Sequence, residues 1–283
     1  MKKDPLKRVR ESKSFHAKFV SGLLGSILFT FSSFGIAEEK LPPKEKFHLF
    51  LLVGQSNMAG RGRIAPDDQI PHPRVLMLNR SGKWVPAVEP VHFDKPYAGV
   101  GPGRTFGILV AERDPSITVG LIPAACGGSP IAAWKPGAYW QQTKSHPYDD
   151  AIVRAQKGMQ DGTLKAILWH QGEADCGARK SLVYCKNLQD LFFRFRKDLG
   201  MPSVPILVGQ LSHFPGETWS EGKRRVDTAQ KKIVQEMPPS AFVTSDHLTS
   251  NPDRIHFNAE SQREFGRRFF EAYWKLINSF PDK

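Results

Sequence analysis

The feature that most constrains this chain is a set of short apolar runs that do not alternate with polar residues. They lie at residues 48–53, 117–124, 166–169, 204–211 and 241–244, each rich in Val, Ile or Leu. A strand with one wet face alternates apolar and polar side chains, because successive Cβ atoms point to opposite faces. Runs that are apolar throughout suit strands covered on both faces, as in a parallel sheet flanked by helices. Segments with helical period fall between them, at 104–113, 148–160, 182–199, 223–237 and 260–277. Ile152, Ala155 and Met159 share a face in the second, and Leu188, Leu191, Phe192 and Phe195 share one in the third. Alternating strands and helices predict an α/β fold with a parallel sheet and helices on both sides. Residues 61–103 are rich in Pro and Gly and read as loops laid over one end of the sheet. The chain has 283 residues, 40% of them hydrophobic, enough for one sizeable core.

The first 37 residues stand apart. Seven basic side chains against two acidic ones occupy residues 1–18, an apolar stretch covers 19–36, and Gly35 and Ala37 precede Glu38. A basic start, an apolar middle and a small-residue exit predict a cleaved secretory signal peptide and a secreted or periplasmic protein without stable membrane insertion. An uncleaved signal anchor is the alternative, because the apolar stretch approaches the length of a membrane span. Residues 38–46 read as a linker and 47–283 as the functional domain. Loss of the first 37 residues lowers the net charge by five, from +12 to +7. No cluster of Lys and Arg interleaved with aromatics accompanies that charge, so it reads as a solvated basic surface, with no nucleic-acid partner. Export makes a disulfide between Cys176 and Cys185 one expectation, with Cys126 left over; three unpaired thiols are the other.

Four polar or glycine-rich motifs sit at or beyond predicted strand ends. Gly54-Gln55-Ser56-Asn57-Met58 follows the first apolar run. A serine on a turn there presents its hydroxyl at the carboxyl edge of the sheet, where open α/β sheets bind ligands. Asp253 and His256 lie three apart in a Pro- and Asn-marked loop. One short turn can project both, so that the carboxylate holds one ring nitrogen and leaves the other to take a serine proton. Cys126-Gly127-Gly128-Ser129-Pro130-Ile131 follows the second run, and its glycines let backbone amides approach a developing oxyanion. Trp169-His170-Gln171-Gly172-Glu173 ends the third, with Gln171 as a side-chain donor. Each motif alone has an ordinary structural explanation. Together they supply nucleophile, base, orienting acid and oxyanion donors, the parts needed for acyl transfer.

In that order and combination, these blocks resemble those of the SGNH hydrolases, in the carbohydrate esterase branch that includes acetylxylan esterases and sialate O-acetylesterase-like domains. The resemblance runs from about Phe47 to Tyr273 and includes Gly266-Arg267-Arg268 near the end. It implies a flavodoxin-like three-layer α/β/α sandwich and carbohydrate O-acetylesterase activity with no cofactor and no metal. It implies Ser56 as nucleophile, His256 as base and Asp253 as its partner, with Glu173 as the alternative carboxylate. It implies an oxyanion hole from the N–H of Ser56, the N–H of Gly128 or Gly127, and the amide of Gln171. Gln55, Asn57 and Trp134 are candidate substrate contacts, and Tyr139 and Trp140 can stack on sugar rings or pack the loop. The expected partner is an acetylated carbohydrate, such as acetylxylan. The competing expectations are a sialate O-acetylesterase, a lipid or aryl esterase on the same frame, and a glycan-binding module that has lost catalysis.

Overall fold

The computed structural model describes residues 40–279. The segment expected to be a signal peptide lies outside them. Among the described residues, no helix is long and apolar enough to cross a membrane.

A seven-stranded sheet forms the middle layer. Its strands are β1 (Phe47–Gly54), β2 (Val75–Leu78), β3 (Trp84–Pro86), β4 (Thr118–Pro123), β5 (Thr163–His170), β6 (Ile206–Gly209) and β7 (Ser240–Val243). They are ordered β3-β2-β4-β1-β5-β6-β7, and all pairings are parallel except the edge pair β2–β3. The helices are α1 (Ser56–Ala59), α2 (Pro102–Arg113), α3 (Pro147–Asp161), α4 (Ala178–Asp198), α5 (Glu221–Glu236) and α6 (Ala259–Ser279). The strand β1 explains why its run is apolar throughout. Leu49, Leu51 and Val53 join the core under α3, α4 and α5, while Phe50 and Leu52 join the opposite core under α2 and α6. Each fully buried side chain of this kind contributes about 1.5–3 kcal/mol.

All five strands and five helices expected from the sequence are present, with ends shifted by a few residues. Region 61–103 departs from expectation. It is not all loop: Val75–Leu78 and Trp84–Pro86 add an edge hairpin, which the Pro- and Gly-rich surroundings masked. The linker expected at 38–46 also differs from 41 onward. Leu41 packs against the core and a short 3₁₀ turn, Lys44–Lys46, leads into β1. In α3 the inward face is Ala151, Ala155 and Gly158, so Ile152 and Met159 are only half-buried.

This topology places the site. The chain leaves β1 towards β2 on one side and, after β4, crosses over β1 to β5 on the other, and the crevice at such a switch point opens beyond the strands' carboxyl ends. Ser56, the loop 126–129 and the loop 171–175 follow β1, β4 and β5, three adjacent strands.

Candidate active site

The turn that carries Ser56 begins with a glycine that no other residue could replace. Gly54 has φ +131°, and a Cβ there would lie 2.0 Å from the His170 carbonyl oxygen. That contact lets the Gln55 N–H donate to the same oxygen at 2.9 Å, which locks the end of β1 to the end of β5. The chain then enters the one-turn helix α1, with Ser56 as its first residue and 7% exposed.

His256 arrives from the other end of the chain. Asp253 Oδ1 accepts the N–H groups of Ile255 (2.8 Å) and His256 (3.0 Å), and Arg254 takes φ +55° to close the turn. Asp253 Oδ2 is 2.7 Å from His256 Nδ1, and His256 Nε2 is 3.0 Å from Ser56 Oγ. An ionised Asp253 fixes the proton on Nδ1 and leaves the Nε2 lone pair facing the serine hydroxyl. Partial burial alone would raise the Asp253 carboxyl. The His256 N–H, the His256 ring and the Ile255 N–H outweigh it and hold the carboxyl below its ordinary range.

Glu173 does not bond to His256. Its Oε1 accepts Asn57 Nδ2 at 2.8 Å, and Asn57 also donates to the Ile255 carbonyl and accepts the Phe257 N–H. Asn57 is therefore a fully buried strut between the nucleophile turn and the base loop, which removes it as a sugar contact. Gln55 is 4% exposed, and its Oε1 faces the N–H groups of Gly172 and Ala174, so it too is turned inward. Trp134 has no exposed surface. Its indole donates to Ser129 Oγ at 2.9 Å and packs edge-on to Trp169, so its assignment as a substrate contact is corrected to core packing. Tyr139 is 50% exposed, while Trp140 donates its indole N–H to the Gly127 carbonyl at 3.1 Å.

The backbone amides of these loops can be sorted by what they already bond. Among the described residues, no acceptor takes the N–H of Ser56 or of Gly128, which has φ +73°. The Gly127 N–H is spent on Asp94 Oδ2 at 2.8 Å, which removes it as an oxyanion donor. Gln171 is corrected likewise. It is fully buried and gives one amide hydrogen to the Ser129 carbonyl (3.0 Å) and the other to Asp175 Oδ2 (2.6 Å). Its Oε1 accepts Tyr184 Oη at 3.1 Å. Gln171 thus holds the second block against the third and has no hydrogen left for substrate.

Two residues without a role in the sequence reading complete this wall. Asp175 Oδ2 also accepts the Ile131 N–H at 2.8 Å; burial pushes its carboxyl up, and the Gln171 bond pulls against it. Asp94 pairs with Arg61 at 2.8 Å, both side chains nearly fully buried. Cys126, Cys176 and Cys185 carry free thiols, so the Cys176–Cys185 bridge is absent. Burial pushes the Cys126 thiol up to about 11, which leaves it a poor nucleophile.

Set against known proteins, the family described as "Carbohydrate esterase, sialic acid-specific acetylesterase" matches residues 46–275. A "probable carbohydrate esterase" of Arabidopsis thaliana is 30% identical over 257 residues, spanning 83% of this chain and 92% of that one. A solved X-ray structure from the same plant superposes with TM-score 0.72 at 30% identity, covering 83% of this chain and 99% of the other. The structure of NanS gives TM-score 0.67 at 18% identity, over 84% of this chain and all of the other. A carbohydrate acetylesterase from Xanthomonas citri gives 0.64 at 18%, over 83% of this chain and 57% of that one. These last two speak for the fold alone.

Proposed function

We propose that this chain, which belongs to the carbohydrate esterase family of sialic acid-specific acetylesterases, removes O-acetyl groups from glycans with Ser56 as nucleophile, His256 as base and Asp253 as the partner of the base. The chain is a carboxylic ester hydrolase of the acetylesterase type. What supports the residue assignment is the unbroken line from Asp253 Oδ2 through His256 to Ser56 Oγ, with steps of 2.7 and 3.0 Å.

The chemistry follows from that line. Ser56 Oγ attacks the acetyl carbonyl carbon as its proton passes to His256 Nε2. The carbonyl oxygen becomes an oxyanion, received by the N–H groups of Ser56 and Gly128. Asp253 stays ionised and stabilises the imidazolium. Collapse breaks the bond to the sugar oxygen, which leaves with the proton from Nε2. Water then gives a proton to Nε2 while attacking the acetyl-serine, and acetate departs as Ser56 recovers its hydrogen.

Acetylated xylan is the preferred substrate in this proposal, and the acetylated sialic acid of the family description is the second. The N-terminal composition supports export. Acetate release from acetylated xylan, pectin-type glycans and acetylated sialic acid, compared between wild type and Ser56→Ala, tests the proposal. Release from one or more glycans, abolished in the variant, is expected. A folded variant with full release contradicts the nucleophile. A wild-type protein that binds acetylated xylan yet hydrolyses neither it nor para-nitrophenyl acetate contradicts catalysis.

A further inference from the structure

Trp140 and Asp94 grip the loop 126–128 from two sides. The Gly127 carbonyl and the Gly128 N–H belong to one peptide unit, planar and trans, so they point in opposite directions. Trp140 Nε1 donates to that carbonyl at 3.1 Å, which holds the plane from its oxygen side. The N–H of the preceding unit, that of Gly127, is fixed by Asp94 Oδ2 at 2.8 Å. With both grips in place, the Gly128 N–H is left pointing away from Trp140 with no acceptor among the described residues.

The acid side of this grip is itself anchored to the catalytic loops. Arg61 follows the nucleophile turn, donates to the Gly60 carbonyl at 2.6 Å and pairs with Asp94 at 2.8 Å. The Arg61 carbonyl accepts Asn251 Nδ2 at 2.8 Å, and the Asn251 N–H donates to the His256 carbonyl at 2.7 Å. One buried ion pair therefore meets the nucleophile turn, the base loop and the glycine loop. A Cβ on Gly127 would lie 2.6 Å from both Arg61 Nη2 and Asp94 Oδ2, so the second-block glycine is required by the closeness of this pair.

We infer that Trp140 and Asp94 are positioning residues that aim the Gly128 N–H at the reacting carbonyl oxygen. The inference rests on the proposed acyl-transfer site and deepens it. Aim matters because an oxyanion donor works only when fixed in place before charge develops. Donation to the Gly127 carbonyl also polarises the shared peptide unit, which strengthens its N–H as a donor. Trp140 thus acts through its indole nitrogen, rather than as a stacking face for sugar.

Trp140→Phe keeps an aromatic ring and removes the one N–H. Asp94→Asn keeps the size and removes the charge. Para-nitrophenyl acetate serves as substrate because it has no sugar to stack, a fluorophosphonate counts competent sites, and phenylboronic acid serves as tetrahedral mimic. For Trp140→Phe we expect kcat per competent site to fall about tenfold, KM to stay within twofold, and boronate affinity to fall in parallel with kcat/KM. Asp94→Asn should show the same pattern with a larger loss, and the double variant should lose less than the product of the two single losses. Unchanged kcat per site and unchanged boronate affinity in Trp140→Phe, with Ser56→Ala inactive, overturns the inference and leaves the esterase reading standing. A raised KM at unchanged kcat overturns it as well. Turnover surviving in Ser56→Ala overturns the underlying site instead.

Discussion

The two walls of the crevice are built by opposite means. The base wall is local: within residues 251–256, Asn251 N–H bonds the His256 carbonyl, Arg254 N–H bonds Asn251, and Asp253 takes two N–H groups and the imidazole. The oxyanion wall is assembled from afar. Asp94 is 33 residues from Gly127, Asp175 is 44 from Ile131, and Gln171 is 42 from Ser129. The base wall is also the wetter one, with the Asp253 side chain 42% exposed against 1% for Asp94. The proposed base, which would gain and lose protons, is carried on a short self-bonded turn near solvent. Amides that must not move are held by buried polar groups, each of which is costly to leave unpaired.

The largest effects belong where the walls meet. Ser56→Ala or His256→Ala should each lower kcat on the order of 10⁴-fold or more, and the double variant should be no worse than either alone, because the pair acts as one unit. Steady-state rates on para-nitrophenyl acetate check this; multiplicative losses would show that the two residues act separately.

Next come the carboxylates, which divide the walls. Asp253→Ala should cost about 10²- to 10⁴-fold in kcat through the lost histidine partner. Glu173 reaches the base loop through Asn57 and does not bond His256, so Glu173→Gln should cost less than about tenfold. Near-full turnover in Asp253→Ala beside a dead Glu173→Gln would transfer the histidine's partner to Glu173.

The base wall was legible in the sequence for a physical reason: Asp253 and His256 are close along the chain, and spacing fixes their geometry. The strands were legible because burial on both faces leaves an apolar run, as β1 shows. The edge hairpin β2–β3 was not, since Val75–Leu78 is short and lies among turn residues. The oxyanion wall was read by residue type alone, and Gln171 and Trp134 do not stand where residue type put them. Gln171 has the chemistry of a donor, but Asp175 and Ser129, folded against it, consume both hydrogens. Trp134 has the chemistry of a sugar platform, but it lies inside the core. Nothing in the spacing of Arg61, Asp94 and Gly127 announces their convergence.

Smaller in turnover is the effect at Gln171. Gln171→Ala strands buried partners, so stability should drop by about 1–3 kcal/mol in urea unfolding. Turnover per competent site should fall less than about tenfold. A hundredfold loss at intact stability would restore Gln171 to the oxyanion hole.

Glu89, on the segment leading to Asp94, offers no effect on turnover and is visible only in stability. Glu89 is fully buried, with Oε2 and Oε1 facing the N–H groups of Val91 (3.0 Å) and Gly101 (3.4 Å), and burial pushes its carboxyl up to about 7. An unfolded chain releases this proton near 4.5, so between those values the folded chain binds more protons and stability falls as pH rises. Relative to wild type, Glu89→Gln should therefore gain stability from pH 4.5 to 7, on the order of 3 kcal/mol across the window. A stability difference that does not vary with pH would mean that Glu89 is ionised in the folded chain.

The central claim is that the two walls converge on one nucleophile. Peptide mapping by mass spectrometry after fluorophosphonate treatment tests it most directly. One adduct per chain on Ser56, formed orders of magnitude more slowly in His256→Ala, is the predicted result. Stoichiometric labelling at another residue, or labelling of Ser56 at an unchanged rate without His256, would contradict it.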